Sequence, residues 1–402
     1  MKKYSMLILT SLMLLLTTVV YIYDNSGQAP QIKQPNISID SKKFGLIKNI
    51  VWPNEFTNIK NSLILLSTKK TNEGNMSYLY NLNINTGKSV MMAEFPSHKN
   101  LNNVILSSSP MGDGSIIVAY DRGIVKVKTN PTDTNSNTVS MIEVPGFENA
   151  TSMDYKNSLI YTRENDSILY YSDVDSSQFG FAFNNPNYTN TSTYYLKPFY
   201  VANLNSLDRL ITYTSLNRNQ INLYALKDGK PINTFNTPVI KNVVTVRGVW
   251  DSYGFTGMNI LDNKAQNKEL SIFMIRHTID NYNHDNYYDL DTIPYNTDPF
   301  GAVPAIDSYT FNEKFSLVYT TYDKSHRGAI KICGLNQIPK VILKGENIFG
   351  PLSITQYPFD EEGKLYILYF SLEDKKVKIK ICNENGDLVK DLTDIITGDT
   401  LT

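Results

Sequence analysis

Tyr366–Phe370 is an uninterrupted apolar run, and after a charged turn it is followed by Val377, Ile379 and Ile381 alternating with lysines. Period-two alternation of β-branched residues marks a half-buried strand, and a short polar gap between two such runs predicts a hairpin. The same pair of runs recurs along the chain. Leu63–Thr68 precedes Tyr78–Ile84, Ser115–Tyr120 precedes Ile124–Lys128, and Leu159–Thr162 precedes Ile168–Tyr171. Further on, Leu210–Thr214 precedes Ile221–Leu226, Phe255–Leu261 precedes Leu270–Ile275, and Leu317–Thr321 precedes Ala329–Cys333. The starts of the leading runs are separated by 52, 44, 51, 45, 62 and 49 residues. Several units continue into similar turns, Asn85-Thr86-Gly87-Lys88, Lys227-Asp228-Gly229-Lys230 and Asn385-Gly386-Asp387. Glycine in such a turn permits positive φ, and Asn or Asp tolerates it or bonds its own backbone.

Short strands repeating about every 40–50 residues predict a β-propeller, in which four-stranded blades ring a central channel. The expected fold is all-β. Seven hairpins imply seven blades, with six or eight left open by the weaker second and fifth units. A parallel β-helix requires a much shorter period, and a sandwich supplies no sevenfold repetition.

The frame of apolar strand, polar turn and aromatic-rich strand followed by Gly-Lys resembles the WD40-like repeat of TolB-type propellers. It is fullest in the first unit, with Val51-Trp52-Pro53 ahead of Leu63–Thr68, then Tyr78-Leu79-Tyr80 and Thr86-Gly87-Lys88. Asn222-Leu223-Tyr224 with Asp228-Gly229-Lys230 is a second copy. The resemblance spans roughly residues 44 to 393, but most of the Ser-Pro-Asp-Gly turns of that repeat are missing. It implies a docking or ligand-binding propeller and brings no catalytic residues with it.

Lys2 and Lys3 precede an uncharged run from Tyr4 to Tyr23. Twenty helical residues span about 30 Å, the thickness of a bilayer's hydrocarbon core. Residues 1–23 are therefore expected to form a single-pass membrane anchor, with the basic flank cytoplasmic and everything after Asp24 extracytoplasmic. A cleaved signal peptide, giving a secreted protein, is the competing reading; the segment lacks a small-x-small cleavage site. Residues 24–43 are polar with two prolines and read as a linker, which leaves 44–402 for the propeller.

Composition changes this picture little. The chain has 402 residues with 38 Lys plus Arg against 39 Asp plus Glu, so no basic bias points to a nucleic-acid partner. No cofactor motif is present. Cys333 and Cys382 occupy the same place in successive units, which belong to separate sheets about 10 Å apart. A disulfide needs Cα atoms about 4.4–6.8 Å apart, so two free, buried thiols are expected.

Two insertions carry the candidate chemistry. The segment 184–203 holds Tyr188, Tyr194, Tyr195, Phe199 and Tyr200 among Asn, Thr and Ser. Flat rings flanked by hydroxyls and amides suit a glycan or an extended peptide, because a ring buries area with little entropy loss. Tyr194–Tyr200 reads equally well as the first strand of the fourth blade, with its rings in the core. The segment 277–301 holds Tyr282, Tyr287 and Tyr288 with His277, His284, Asp280, Asp285, Asp289, Asp291 and Asp298. Clustered carboxylates offer oxygen ligands to calcium, but the spacing matches no known loop and no pair sits at a zinc-ligand spacing. No metal is expected there, and a solvated acidic loop between blades is the plainer reading.

Two functions fit these features. The first is a membrane-tethered extracytoplasmic propeller that binds a cell-envelope glycan, peptide or protein. The second is a surface carbohydrate-active enzyme, hydrolase or lyase, using carboxylates and tyrosines at the propeller face. No Gly-x-Ser-x-Gly elbow supports a serine hydrolase.

Overall fold

The computed structural model describes residues 33–398 except 54–58, 60, 107–113, 130–136, 156–158, 164–167, 174–177, 185–195, 205–206, 215–220, 228–229, 236–242, 249–253, 262–267, 278–284, 312–313 and 357–362. Between 171 and 243 it describes backbone only. Among the described residues no helix is long and apolar enough to cross a membrane. The expected anchor at 1–23 lies outside them.

The described strands form seven antiparallel sheets in chain order, over residues 39–96, 104–143, 150–184, 196–235, 243–294, 306–346 and 348–391. Every sheet is a meander of four consecutive strands, and the first carries one extra short strand, Ile39–Ser41. First strands of successive sheets approach one another from the second sheet to the seventh, which turns that edge of each sheet towards a common axis. The first and seventh sheets also share a core, built from Ile47, Ile50, Leu63 and Leu65 of one and Tyr366, Leu368, Phe370 and Ile379 of the other. Sheets arranged cyclically about an axis, each packed face to face on the next, define a β-propeller.

The repeated hairpins of the sequence occupy the middle of every sheet. Leu63–Thr68 lies in Ser62–Thr71 and Tyr366–Phe370 in Tyr366–Glu373, each the second of its sheet's four meander strands, and the partner run is the third. These runs are therefore second strands, not the strands that open each sheet. A middle strand is covered on both faces and reads as continuous apolar sequence: Ile116–Tyr120 and Tyr366–Phe370 are buried throughout. The outer, fourth strands are half-solvated, and Thr138–Glu143 and Leu388–Asp391 are mostly exposed. The glycine turns take the expected form. Asn83 Oδ1 accepts hydrogen bonds from the amides of Asn85 and Thr86 ahead of Gly87 at φ 69°, and Asn383 Oδ1 does the same for Asn385 and Asp387 around Gly386 at φ 87°.

Residues 33–43, at the end of the expected linker, are packed against the sheets. Ile37 and Ile39 are buried in the core between the first and seventh sheets. Both cysteines are free and buried, Cys333 in the core between the fifth and sixth sheets and Cys382 in that between the sixth and seventh. Burial pushes each thiol up to about 12, so both stay protonated at neutral pH.

His98, which follows the last strand of the first sheet, is a buried structural residue. Its Nδ1 accepts hydrogen bonds from the amides of Asn100 and Leu101, so Nε2 carries the proton and donates to the Phe147 carbonyl at 3.1 Å. Burial holds its pKa below the usual histidine value. A depressed folded-state pKa gives stability that is complete above about pH 6.5 and lost as pH falls through the folded value. In urea titrations the advantage of the native protein over His98→Gln is expected to shrink between pH 7.5 and 5.5. An advantage that stays constant over that range refutes the neutral assignment.

Candidate binding surface at the seam of the chain ends

The third strand of the first sheet, Gly74–Asn83, alternates partly exposed and buried residues, so Tyr78, Tyr80 and Leu82 share one face. Leu82 reaches the core against the seventh sheet, whereas Tyr78 and Tyr80 are only half-buried. Their rings lie side by side, 6.3 Å between centroids at 19°. Phe44 packs edge-on against Tyr80 at 5.0 Å. The Lys43 ammonium sits 4.9 Å from the Phe44 ring centroid and donates to the Gly87 carbonyl, while that of Lys69 sits 5.4 Å from the Tyr78 centroid. Such cation–π contacts hold the two charges against the rings, Phe44 being buried and Tyr78 partly exposed. Burial, then the carboxylate of Glu94 beside it, raises the pKa of the Tyr78 hydroxyl and keeps it a neutral donor.

This ledge adjoins a shallow groove lined by Asp40, Ser41, Lys42, Gly45, Leu46 and Thr397, between the two ends of the described chain. The Lys69 stem covers Gly45, leaving 2.7 Å between its Cγ and the place a Cβ would occupy. The groove floor and the aromatic ledge are thus contiguous. The combination of flat rings, ring-held cations and an open groove can hold an extended polar chain.

The residues singled out in sequence fall elsewhere. Tyr188, Tyr194, Tyr195, Tyr282 and Asp280 lie outside the described residues. Tyr200 lies in Leu196–Leu204, the first strand of the fourth sheet. The acidic segment is only in part an inter-sheet loop: 285–294 is the fourth strand of the fifth sheet, with Asp285 opposite His277 at its start, while 295–301, with Asp298, belongs to the connection to the sixth sheet. Tyr287 is 41% exposed and stacks on Phe273 at 5.9 Å; Tyr288 next to it is partly buried. A bulge opposite Ile272 and Phe273 separates Asp289 from Asp291. Asp289 accepts a hydrogen bond from Ser271 of its own sheet, but Asp291 turns to the sixth sheet, accepting from Tyr319 at 2.5 Å and pairing with Lys331 at 2.8 Å. Two carboxylates with separate partners share no cation. Among the described residues no group of His, Cys, Asp and Glu is placed to hold a metal.

The Asp291 contact has a counterpart one sheet on. Tyr369 and Lys380 pair across their strands as Tyr319 and Lys331 do, and Glu346 of the preceding sheet approaches Lys380 at 3.9 Å. Glu373 completes that site by bonding Lys380 directly. Asp291 and Glu346 reach across to the next sheet, while Glu373 bonds within its own. In the sequence Tyr78 and Tyr80 counted only as part of the repeat frame; what marks them as a surface feature is Lys43 and Lys69, whose positions relative to the rings depend on the fold.

The class defined by these sheets is the β-propeller, with WD40 proteins among its structural neighbours. No protein-family model and no curated protein matches the sequence. Similar solved structures include Sqt1 from Chaetomium thermophilum, 9% identical, with 90% of each chain covered and a TM-score of 0.48. The Cps50 (Swd1) β-propeller domain from Myceliophteria thermophila is 11% identical, covering 86% of this chain and 98% of that one, at a TM-score of 0.44. The β-propeller domain of the trilobed protease from Pyrococcus furiosus is 11% identical, with 92% and 100% covered, at a TM-score of 0.42. None of these likenesses bears on what this chain binds.

Proposed function

We propose that this protein is an extracytoplasmic binding module, a seven-bladed propeller with one blade per sheet, tethered to the membrane by residues 1–23. Its ligand is an extended anionic glycan of the cell envelope. The partly exposed Tyr78–Tyr80 pair with Lys69 over one ring carries the reading: sugar rings stack on such faces, and ammonium groups beside them match carboxylate or phosphate substituents. The tether rests on the basic flank and the uncharged run of residues 4–23.

Polygalacturonate, titrated calorimetrically into the full-length protein in detergent, is the test. Tyr78→Ala is expected to weaken binding about tenfold, equivalent to roughly 1.4 kcal/mol, with the circular dichroism spectrum unchanged. Raising salt from 50 to 500 mM should weaken it further. Binding indifferent to Tyr78 defeats the assignment of this surface, and release of reducing ends during the titration makes the protein an enzyme instead.

A further inference from the structure

In this propeller each meander is drawn from one continuous stretch of chain, and among the described residues the first and seventh sheets are separate sheets with no shared strand. A ring built this way has a seam where the two ends of the described residues meet. Without a shared strand the seam lacks a ladder of backbone hydrogen bonds, and face-to-face packing alone would have to keep it shut.

The segment before the first sheet lies across this seam and the sheets beside it. The Val303 amide, at the entry to the sixth sheet, donates to the Lys33 carbonyl at 2.9 Å, and Lys33 Nζ donates to the Phe300 carbonyl at 2.6 Å. Gln34 Nε2 donates to the Val244 carbonyl of the fifth sheet at 2.6 Å. The Asn36 carbonyl then passes over Gly350 of the seventh sheet, 3.2 Å from where a Cβ would stand, and Gly350 itself holds φ 70°. Ile37 and Ile39 enter the core between the seventh and first sheets, and Ile39–Ser41 pairs with the start of Gly45–Val51. There the segment meets the other end of the chain: Ser41 Oγ donates to the Ile396 carbonyl at 2.6 Å, and the Lys42 amide to that of Thr397 at 3.0 Å. Ile396 of the short helix Thr393–Thr397 and Leu392 at its N-cap fill the same core.

We propose that residues 33–44 are a clasp that holds the ring of sheets shut in place of a shared strand, and that the seam groove exists only while the clasp is closed. Four sheets and the C-terminal helix each supply it with a separate anchor, so it bridges elements that the meanders leave unconnected. Asp40, Ser41 and Lys42 form one wall of the groove and Thr397 the other, so opening the clasp removes the wall. This second half rests on the binding reading; the first half stands without it.

Hydrogen exchange of the full-length protein in detergent, followed by mass spectrometry, tests the clasp with no ligand present. Gln34→Ala combined with Ser41→Ala removes two side-chain anchors and no core volume. Exchange is expected to speed up about tenfold or more in Gly45–Val51, Ile348–Thr355 and Thr393–Thr397, with Ile116–Tyr120 in the second sheet unaffected. Ser152→Ala, which removes a hydrogen bond within the third sheet, should leave those three segments unchanged. Equal acceleration at Ile116–Tyr120, or none at the seam, overturns the proposal. Should the double variant not fold, the native protein in sub-denaturing urea serves, where the seam strands should open before the second sheet; simultaneous opening is the contrary result. Clasp variants that exchange as expected yet bind polygalacturonate normally would leave the clasp standing and remove the groove from the binding site.

Discussion

Asp298→Ala is expected to lower the stability of the folded chain by about 3–5 kcal/mol. Asp298 is only 2% exposed, and among the described residues no group of His, Cys, Asp and Glu is placed to hold a metal beside it. Its Oδ1 accepts hydrogen bonds from the amides of Phe300 at 2.9 Å and Ala302 at 2.8 Å, shaping the turn that enters the sixth sheet. Its Oδ2 reaches the Gly350 amide of the seventh sheet at 3.3 Å. Alanine leaves these donors without their acceptor in a site with little access to water, and each orphaned group costs about 1–3 kcal/mol. Asn keeps one acceptor oxygen, so Asp298→Asn should lose distinctly less. Equilibrium urea unfolding, followed through the fluorescence of buried Trp52, measures both. A loss below about 1 kcal/mol for the alanine variant would show that water replaces the carboxylate.

Phe147→Ala should lose a similar amount, about 3–5 kcal/mol, by a different route. The Phe147 ring is completely buried in the core between the second and third sheets. It meets the His98 ring at 5.5 Å and 75° and the Tyr161 ring at 5.1 Å and 62°, both edge-to-face. Truncation removes both contacts and leaves a cavity that two sheets cannot close without shifting against each other. Phe147→Leu, which keeps most of the volume, should lose much less. The same unfolding experiment distinguishes them. Equal losses for Ala and Leu would locate the effect in the edge-to-face contacts instead of the cavity.

The two residues also differ in how far the sequence pointed to them. Asp298 stood out as one of five clustered acids and suggested a cation; its amide donors became visible only when the turn and the seventh sheet were brought together. Phe147 sits in a polar stretch without periodicity, in a single 3-10 turn, Phe147–Asn149, and nothing local marks it as core.

The repeat itself was legible because the middle strands of each sheet are covered on both faces. Burial on two sides demands apolar residues at nearly every position, and Ile116–Tyr120 or Tyr366–Phe370 satisfies that demand within a few residues. The outer strands, such as Thr138–Glu143, contact one neighbour and water, so their composition is weakly constrained and they were missed. Residues 33–43 looked like a linker for a related reason: Ile37 and Ile39 are only two apolar residues in a polar stretch, and the Lys33 and Gln34 side chains bond backbone carbonyls more than 200 residues away. The sequence alone therefore determined the propeller class, the sevenfold repetition of hairpins and the two unpaired thiols, all of which follow from local pattern and spacing. Only the tertiary structure decided that Asp289 and Asp291 part company, that Tyr78 and Tyr80 are partly exposed beside two lysines, and that the two ends of the described residues meet across the seam. Those outcomes depend on which face a strand turns to its neighbour, and a single bulge or one crossing segment reverses that without leaving a mark in the local pattern.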